Sequence, residues 1–127
     1  MIIGIGIDSC SIARIEKLME REGPDGAFFR RTFTPAERRE AEIRHHRAEY
    51  YAARFAVKEA VFKAVAPHTE SGFDLRAVES LHHKDGSPYV SVTEALDPLL
   101  KEAGIQTLHL SVTTEGGLAQ AIVLAEG

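Results

Sequence analysis

The sequence predicts an α+β fold in which an antiparallel sheet packs around one long buried helix. After a short leading strand, the pattern is helical to about residue 65 and mostly strand-like beyond it. Residues 52–65 are apolar around nearly the whole helical circumference, which is typical of a core helix. Residues 108–112 and 118–124 are strand-like and separated by a glycine turn, which indicates antiparallel neighbours. Helices grouped apart from such strands are typical of α+β proteins.

The composition indicates one globular domain over residues 1–127. Of the 127 residues, 44% are hydrophobic and 27% are charged, which suits a single core. The chain has one cysteine, no recognisable export signal and no apolar run near the roughly 20 residues that span a bilayer. We therefore expect a cytoplasmic protein with no membrane contact. The net charge of −4 disfavours nucleic acid as a partner, so any basic binding site must be local.

The first predicted element is a strand with two unlike faces. Over residues 3–8, three isoleucines alternate with Gly4, Gly6 and Asp8. Because glycine in a strand interior lets another backbone or a ligand come close, we expect Asp8 to lie beside open space.

A helix is predicted from Ser11 to Glu22, where Gly23 and Pro24 stop it. Arg14, Lys17 and Arg21 fall within about 60° of one another on this helix, away from its acidic residues. This basic stripe has two interpretations, a solvated face or a docking surface for an acidic partner.

The remaining elements follow from helix caps and turns. Thr34, Pro35 and Glu37 form a capping box, so Glu37 has a structural role, and the helical pattern continues with one break to Val65. Residues 75–82 and 88–92 predict a hairpin, and a short helix starting at Thr93 or Asp97 precedes the final strands. Five of the six histidines, at positions 45, 46, 82, 83 and 109, are interpreted as solvated or core residues rather than metal ligands.

Glu59 is the most informative residue of the core helix. At about 100° per residue it shares a narrow stripe with Phe55, Phe62 and Ala66, and a carboxylate on a buried stripe requires a nearby cation. Lys63 follows four residues later, in the favourable order for a helical ion pair. The alternative cation is a metal ion.

A second acid supports the metal interpretation. Asp8 is expected at open space, while Arg54, Lys58 and Lys63 surround Glu59 with positive charge. Magnesium held by one or two carboxylates, with substrate phosphates completing its shell, requires this composition. The sequence has no glycine-rich loop of the standard nucleotide-binding folds.

Several segments carry a family resemblance, in the right order and over almost the whole chain. They are Gly4 to Asp8, Arg14-Ile15, Phe33 to Glu37, the Arg-Phe-x-x-Lys-Glu-Ala-x-x-Lys motif within Ala53 to Ala64, and the turn Gly86-Ser87-Pro88. Together they resemble the holo-[acyl-carrier-protein] synthases, which are small, single-domain 4′-phosphopantetheinyl transferases. The resemblance implies that fold and, commonly for the family, a homotrimer with its sites between subunits.

The resemblance also implies a reaction. Coenzyme A would donate its phosphopantetheine arm to a serine of an apo-acyl-carrier protein and release adenosine 3′,5′-bisphosphate. Asp8 and Glu59 would hold Mg²⁺, and Lys63 and Arg54 would neutralise coenzyme A phosphates. Glu59 and Lys63 are thus the predicted catalytic residues, with Glu59 or a water that it orients as the base.

Further residues are assigned by the same resemblance. Gly86, Pro88 and Thr113 are expected at the coenzyme A site, and the stripe of Arg14, Lys17 and Arg21 is expected to receive the acidic helix of the carrier protein.

The final motif departs from the family pattern. The family usually has Ser-x-Ser/Thr-His, whereas this chain has Ser111-Val112-Thr113-Thr114. Threonine donates one neutral hydrogen bond but no charge. Thr114 therefore predicts weaker coenzyme A binding, or compensation by another basic residue.

Two other functions are compatible with the residues. A hot-dog-fold acyl-CoA thioesterase also wraps a sheet around a long helix bearing an acid, but it gives no reason for Lys63 beside Glu59. A catalytically silent carrier-protein binder would use Arg14, Lys17 and Arg21 for docking, and Thr114 would mark its decay.

Restoring the family histidine tests the effect of the departure. We expect Thr114→His to lower the Michaelis constant for coenzyme A, because a histidine adds a charge-assisted hydrogen bond to phosphate. Steady-state kinetics with varied coenzyme A measure this, and an unchanged constant would count against the prediction.

Overall fold

The structure is a computed structural model that describes residues 1–70 and 72–127, and it confirms the α+β class. In chain order the elements are β1 (Ile2–Ser11), α1 (Ile12–Glu22), α2 (Ala27–Thr32), α3 (Pro35–Glu42), α4 (Arg47–Val65), β2 (Val78–His82), β3 (Pro88–Val92), α5 (Asp97–Ala103), β4 (Thr107–Glu115) and β5 (Leu118–Glu126). Short 3₁₀ turns occupy Ala66–His68 and Leu75–Ala77.

The strands form two antiparallel units. One is a three-stranded sheet in the order β1-β5-β4, and the other is the β2-β3 hairpin. Register pairs Asp8 with Ala121 in β5 and Thr114 with Ala119. Helix α4 lies against the inner face of the sheet, where Ala119, Ala121 and Val123 are buried.

The glycines of β1 allow the strand to contact α4 backbone to backbone. A methyl group at Gly4 would overlap the carbonyl oxygen of Ala64, and one at Gly6 would overlap that of Ala60. The two glycines were expected to allow close approach of another backbone or a ligand. In the structure the backbone of α4 makes this approach. Since Asp8 follows Gly6 on the same face of the strand, this contact places Asp8 near the middle of α4.

The outer face of the sheet is apolar and exposed. Ile5 and Ile7 of β1 are 60% and 62% exposed, and Ile122 of β5 pairs with Ile7. An exposed apolar patch of this kind marks an interaction surface more often than a solvated one.

Glu37 forms the predicted capping box and also a buried ion pair. Its carboxylate accepts from the Thr34 amide at 2.9 Å and lies 2.7 Å from the Lys58 ammonium, and both charged side chains are fully buried. Lys58 also donates to the carbonyl oxygens of Leu75 and Val78. Lys58 thus holds the β2-β3 hairpin to α4. The sequence-based expectation that Lys58 is one of the cations around Glu59 is therefore wrong.

Helix α2 was not predicted. It has no side-chain cap at Gly26, and six residues give too short a pattern to detect. Tertiary contacts stabilise it instead, because Phe29 is fully buried with its ring centroid 4.9 Å from that of Tyr51.

The predicted strand at 75–82 begins later, at Val78, because Asp74 accepts the Arg76 amide and starts a 3₁₀ turn. Helix α5 begins at Asp97, after a turn in which Thr93 caps the Leu96 amide at 3.0 Å.

None of the helices in residues 1–70 and 72–127 has the length and apolar character needed to cross a bilayer.

The contact between β1 and α4 can be tested by adding one methyl group. We expect Gly6→Ala to lower the free energy of unfolding by about 3 kcal/mol, because the methyl group would overlap the Ala60 carbonyl oxygen. Urea denaturation measures the change. Gly72→Ala is the matched control, because a methyl group there meets no atom within 4 Å. Equal stability of the two variants would contradict the prediction.

Candidate active site

Asp8 and Lys63 form an ion pair between β1 and α4. The Lys63 ammonium donates to Asp8 Oδ1 at 2.9 Å and to the Ile7 carbonyl oxygen at 3.0 Å. The hydrogen bond to Asp8 raises the pKa of Lys63, and the negative charges of Asp8 and Glu59 add to that rise. The helical ion pair between Lys63 and Glu59, one of the two alternatives that the sequence left open, is not formed, because Lys63 contacts the acid on the neighbouring strand. The Lys63 side chain is 50% exposed, so the pair is weak enough to open when a stronger ligand arrives.

Glu59 is half-buried rather than buried. Phe55, Phe62 and Ala66, which share its stripe, are half-buried as well. The two aromatic rings contact Phe28 and Phe73, which cover this side of α4 only in part. An alanine-rich helix appears apolar all round, so the sequence could not show which side its neighbours leave open.

The carboxylates of Asp8 and Glu59 lie in one neighbourhood. Burial raises the pKa of the Cys10 thiol, Arg14 opposes the rise, and Asp8 and Glu59 both add to it. Asp8 contacts the Lys63 ammonium, and Lys63 lies one helical turn from Glu59 on α4, so the two acids lie on the same side of the helix. Among the described residues, the Glu59 carboxylate has no hydrogen-bond or ion-pair partner, so its oxygens are available to a ligand.

Two hard oxygen donors suit magnesium. The described part of the chain contains no group of three or more His, Cys, Asp or Glu side chains placed to hold a metal ion. Magnesium needs no such cage, because it is commonly bound by one or two carboxylates plus waters and substrate phosphates. Asp8 and Glu59 fit that pattern.

A separate cavity of about 580 Å³ lies between α4, the β2-β3 turn and β4. Its lining includes Arg54, Gly86 and Pro88, three residues predicted for coenzyme A, together with Thr114. A cavity of this size can hold a large part of a nucleotide-like ligand.

Arg54 is a buried cation in the wall of this cavity. It is 2% exposed, and burial lowers its pKa. Its guanidinium Nη1 contacts the His82 ring at 2.8 Å (Nε2) and 3.1 Å (Nδ1), and its Cζ lies 5.3 Å from the Tyr50 ring centroid. Within residues 1–70 and 72–127 no carboxylate lies within ion-pair distance of Arg54, and its Nε is buried without a partner. A buried cation left unpaired is costly, so this one suits an anionic ligand.

The structure does not bring all the predicted residues together. Asp8, Glu59 and Lys63 do not line the cavity, since Glu59 lies about 140° around α4 from Arg54. Thr113 lies outside the cavity as well, because strand alternation places it on the outer sheet face opposite Gln120, while Thr114 faces inward. The candidate residues therefore fall into two separate groups, or candidate half-sites, within the described part of the chain.

The predicted docking stripe is exposed. Arg14, Lys17 and Arg21 all face solvent, while Ile15 on the other side of α1 is buried. Ser11 caps the helix by accepting the Arg14 amide at 3.3 Å, so α1 follows β1 directly. This continuity places the Arg14 end of the stripe next to the end of β1 that carries Asp8.

The sequence missed a polar network behind Arg54. His82 lies between Arg54 and Glu40, with Nδ1 2.7 Å from Glu40 Oε1, and the Tyr50 hydroxyl donates to the same oxygen at 2.7 Å. Residues 40, 50 and 82 share no motif or spacing, so no local signal connects them.

Comparison with known proteins identifies the family. Residues 4–123 match the model of the 4′-phosphopantetheinyl transferase superfamily. The chain belongs to this superfamily. It is 40% identical to the holo-[acyl-carrier-protein] synthase of Caulobacter sp. (strain K31), over 99% of this chain and 96% of that protein. It is 42% identical to the synthase of Desulforudis audaxviator, over 100% of this chain and 95% of that protein.

Solved structures of such synthases share the fold. The crystal structure of the Neisseria meningitidis holo-[acyl-carrier-protein] synthase matches with a TM-score of 0.86 and 36% identity over 100% of both chains. The Bacillus anthracis synthase, solved in complex with CoA (3′,5′-ADP), matches with a TM-score of 0.75 and 30% identity, over 99% of this chain and 97% of that chain. The superfamily assignment confirms the predicted resemblance and goes against the hot-dog-fold alternative.

Proposed function

We propose that the chain, as one domain over residues 1–127, transfers 4′-phosphopantetheine from coenzyme A to a serine of an apo-acyl-carrier protein in the cytoplasm. The observation that carries the proposal is the contact of Asp8 with Lys63, one helical turn from Glu59, near the end of β1 that leads into the basic stripe of α1. This site has groups for a metal, a phosphate and a carrier protein within one neighbourhood.

The chemistry is attack of a serine hydroxyl on the phosphorus that carries the pantetheine arm. The serine O–P bond forms, the bridging P–O bond of the pyrophosphate breaks, and adenosine 3′,5′-bisphosphate leaves. Glu59 takes the hydroxyl proton, directly or through a water that it orients, which its partner-free carboxylate permits. Lys63 has a half-exposed ammonium that can turn from Asp8 to the pyrophosphate and neutralise its negative charge.

Magnesium would be held by Asp8 and Glu59. When bound, it would supply positive charge that stabilises the leaving bisphosphate. Asp8 already contacts one cation, the partly exposed Lys63 ammonium. This contact supports the view that the space beside the Asp8 carboxylate favours a positive charge.

We further propose that a homotrimer joins the two half-sites. One half-site has the proposed metal ligands, Asp8 and Glu59, but not the cavity. The other half-site has the cavity residues Arg54, Gly86 and Pro88 but not the metal ligands. The exposed apolar face of β1 and β5 is a candidate contact surface, and Thr113 lies on that same face. This placement supports a role for Thr113 in a site shared between subunits.

The carrier protein would dock on α1. Arg14, Lys17 and Arg21 are exposed on one side of the helix, which is complementary to an acidic helix.

The metal assignment predicts a loss of transfer when either carboxylate is neutralised. We expect Asp8→Asn and Glu59→Gln each to lower kcat/KM at least about a hundredfold, because the metal loses a charged ligand. Intact mass spectrometry of an apo-carrier incubated with coenzyme A and Mg²⁺ measures transfer. The control is Asp97→Asn, which removes a carboxylate from an exposed surface ion pair. Full turnover by both site variants, or turnover without divalent metal, would refute the assignment.

If the carrier protein docks on the basic stripe of α1, charge reversal there changes the Michaelis constant for the carrier protein but not that for coenzyme A. We expect Arg14→Glu and Arg21→Glu to raise the Michaelis constant for the carrier about tenfold and to leave that for coenzyme A unchanged, because each reverses one complementary charge. Arg30→Glu on α2 is a matched control, since Arg30 is also an exposed helical arginine.

Equal effects of the variants at positions 14, 21 and 30 would contradict a specific docking surface. Carrier affinity without any mass shift in the wild-type protein would favour the silent binder instead.

A further inference from the structure

The network behind Arg54 consists of Glu40, His82 and Tyr50. Glu40 Oε1 accepts from the Tyr50 hydroxyl and from His82 Nδ1, each at 2.7 Å, and Glu40 Oε2 accepts from the His82 amide at 3.3 Å. Arg54 Nη1 lies 2.8 Å from the opposite ring nitrogen, Nε2, and 3.1 Å from Nδ1. Glu40, His82 and Arg54 come from α3, β2 and α4, so the network forms only when the hairpin packs on the helices.

The partners of His82 fix its protonation state. A carboxylate only accepts, so Nδ1, whose shortest contact is Glu40 Oε1 at 2.7 Å, carries a proton. A guanidinium only donates, so Nε2, the ring nitrogen nearer to Arg54 Nη1, offers a lone pair. The longer contacts of Nδ1 with Arg54 Nη1 (3.1 Å) and Arg44 Nη2 (3.3 Å) are then not hydrogen bonds. Both requirements are met by one species, the neutral ring with its proton on Nδ1. A doubly protonated ring would direct an N–H group at Arg54. Burial lowers the pKa of His82, which agrees with the neutral form.

The contact with His82 leaves one edge of the Arg54 guanidinium free. Nη1 is taken by His82, while Nε and Nη2 have no hydrogen-bond partner among the described residues. These two nitrogens form the side of the fork that binds two oxygens of a phosphate together.

We infer that Glu40 and His82 are positioning residues, which hold Arg54 by Nη1 so that its Nε–Nη2 edge is presented to a phosphate of coenzyme A. This inference rests on the proposed function. Neither residue is assigned contact with the substrate, because each acts through Arg54. The cost of holding a buried arginine without a carboxylate is offset by the anion that the edge receives.

Protonation of His82 weakens this arrangement. The charged groups facing the ring are Glu40 of α3, Arg44 after α3, with Nη2 3.3 Å from His82 Nδ1, and Arg54 of α4, and the Tyr50 hydroxyl reaches it through Glu40. Two of them are cations, so a protonated ring repels Arg54 as well as losing its lone pair. Coenzyme A affinity therefore falls as the pH drops below the ordinary histidine pKa of about 6.5.

Substitution of His82 by glutamine and by leucine distinguishes a role in positioning Arg54 from a role in stability alone. Glutamine can donate to Glu40 and accept from Arg54 but does not titrate, whereas leucine can do neither. We expect His82→Leu to weaken coenzyme A binding about tenfold at pH 7.5 with kcat within about twofold, from the loss of one hydrogen bond to a charged group. We expect His82→Gln to bind like wild type at pH 7.5 and more tightly than wild type at pH 5.5.

Isothermal titration with coenzyme A at both pH values gives the affinities, and steady-state kinetics give kcat. The matched control is His83→Gln, because His83 is exposed and stacks on Tyr89 with the centroids 4.1 Å apart. The phosphates of coenzyme A titrate equally in every sample, so the ratio of variant to wild type isolates His82. Thermal melting shows whether each variant folds, and the glutamine comparison stands even if the leucine variant does not.

Identical pH dependence in wild type and His82→Gln would overturn the inference while leaving the proposed function intact. A wild-type protein that binds coenzyme A with the expected pattern but modifies no carrier would support the positioning role and refute the transfer. Absence of coenzyme A binding in the wild type would overturn both.

Discussion

The close contact between β1 and α4 determines the geometry of the candidate site. Side chains at positions 4 and 6 would separate strand and helix, because they would overlap the carbonyl oxygens of Ala64 and Ala60. With glycine at both positions, the strand reaches the helix backbone and Asp8 reaches Lys63. Asp8 and Lys63, which are 55 residues apart in the chain, are thereby brought into contact.

The charged residues of α4 have different roles because they lie on different sides of the helix. Lys58 is fully buried with Glu37 and joins the helix to the hairpin. Arg54 is almost as buried but has a histidine partner in place of a carboxylate, so it retains the capacity to bind an anion. Glu59 and Lys63 lie on the open side. Packing therefore separates one structural cation from the groups available for chemistry.

The sequence predicted the fold class well because its signals were local. The capping box of Glu37, the glycines of β1 and the turn after Glu115 each depend on a few adjacent residues. Helix α2 was missed because it depends on the burial of Phe29 against residues distant in the chain. A local pattern cannot report a stabilising contact that forms only in three dimensions.

Prediction of the site was limited by the same distinction. Asp8 was identified because it ends a strand that contains two glycines, and Glu59 because it lies on an apolar helix. The partner of Lys63 could not be identified, because it depends on which strand packs beside the helix. Thr113 was placed with the cavity residues, whereas strand alternation puts it on the outer face. The network of Glu40 and His82 joins three elements, and its members look ordinary one at a time.

Asp8 and Glu59 are proposed to hold one divalent ion together against coenzyme A. The position of this ion can be determined in crystals grown with coenzyme A and Mn²⁺, which scatters anomalously. We expect one anomalous peak about 2.1–2.3 Å from a carboxylate oxygen of each residue and from a phosphate oxygen, as for a small hard cation. An ion bound at the phosphate with neither carboxylate in its coordination shell would contradict it.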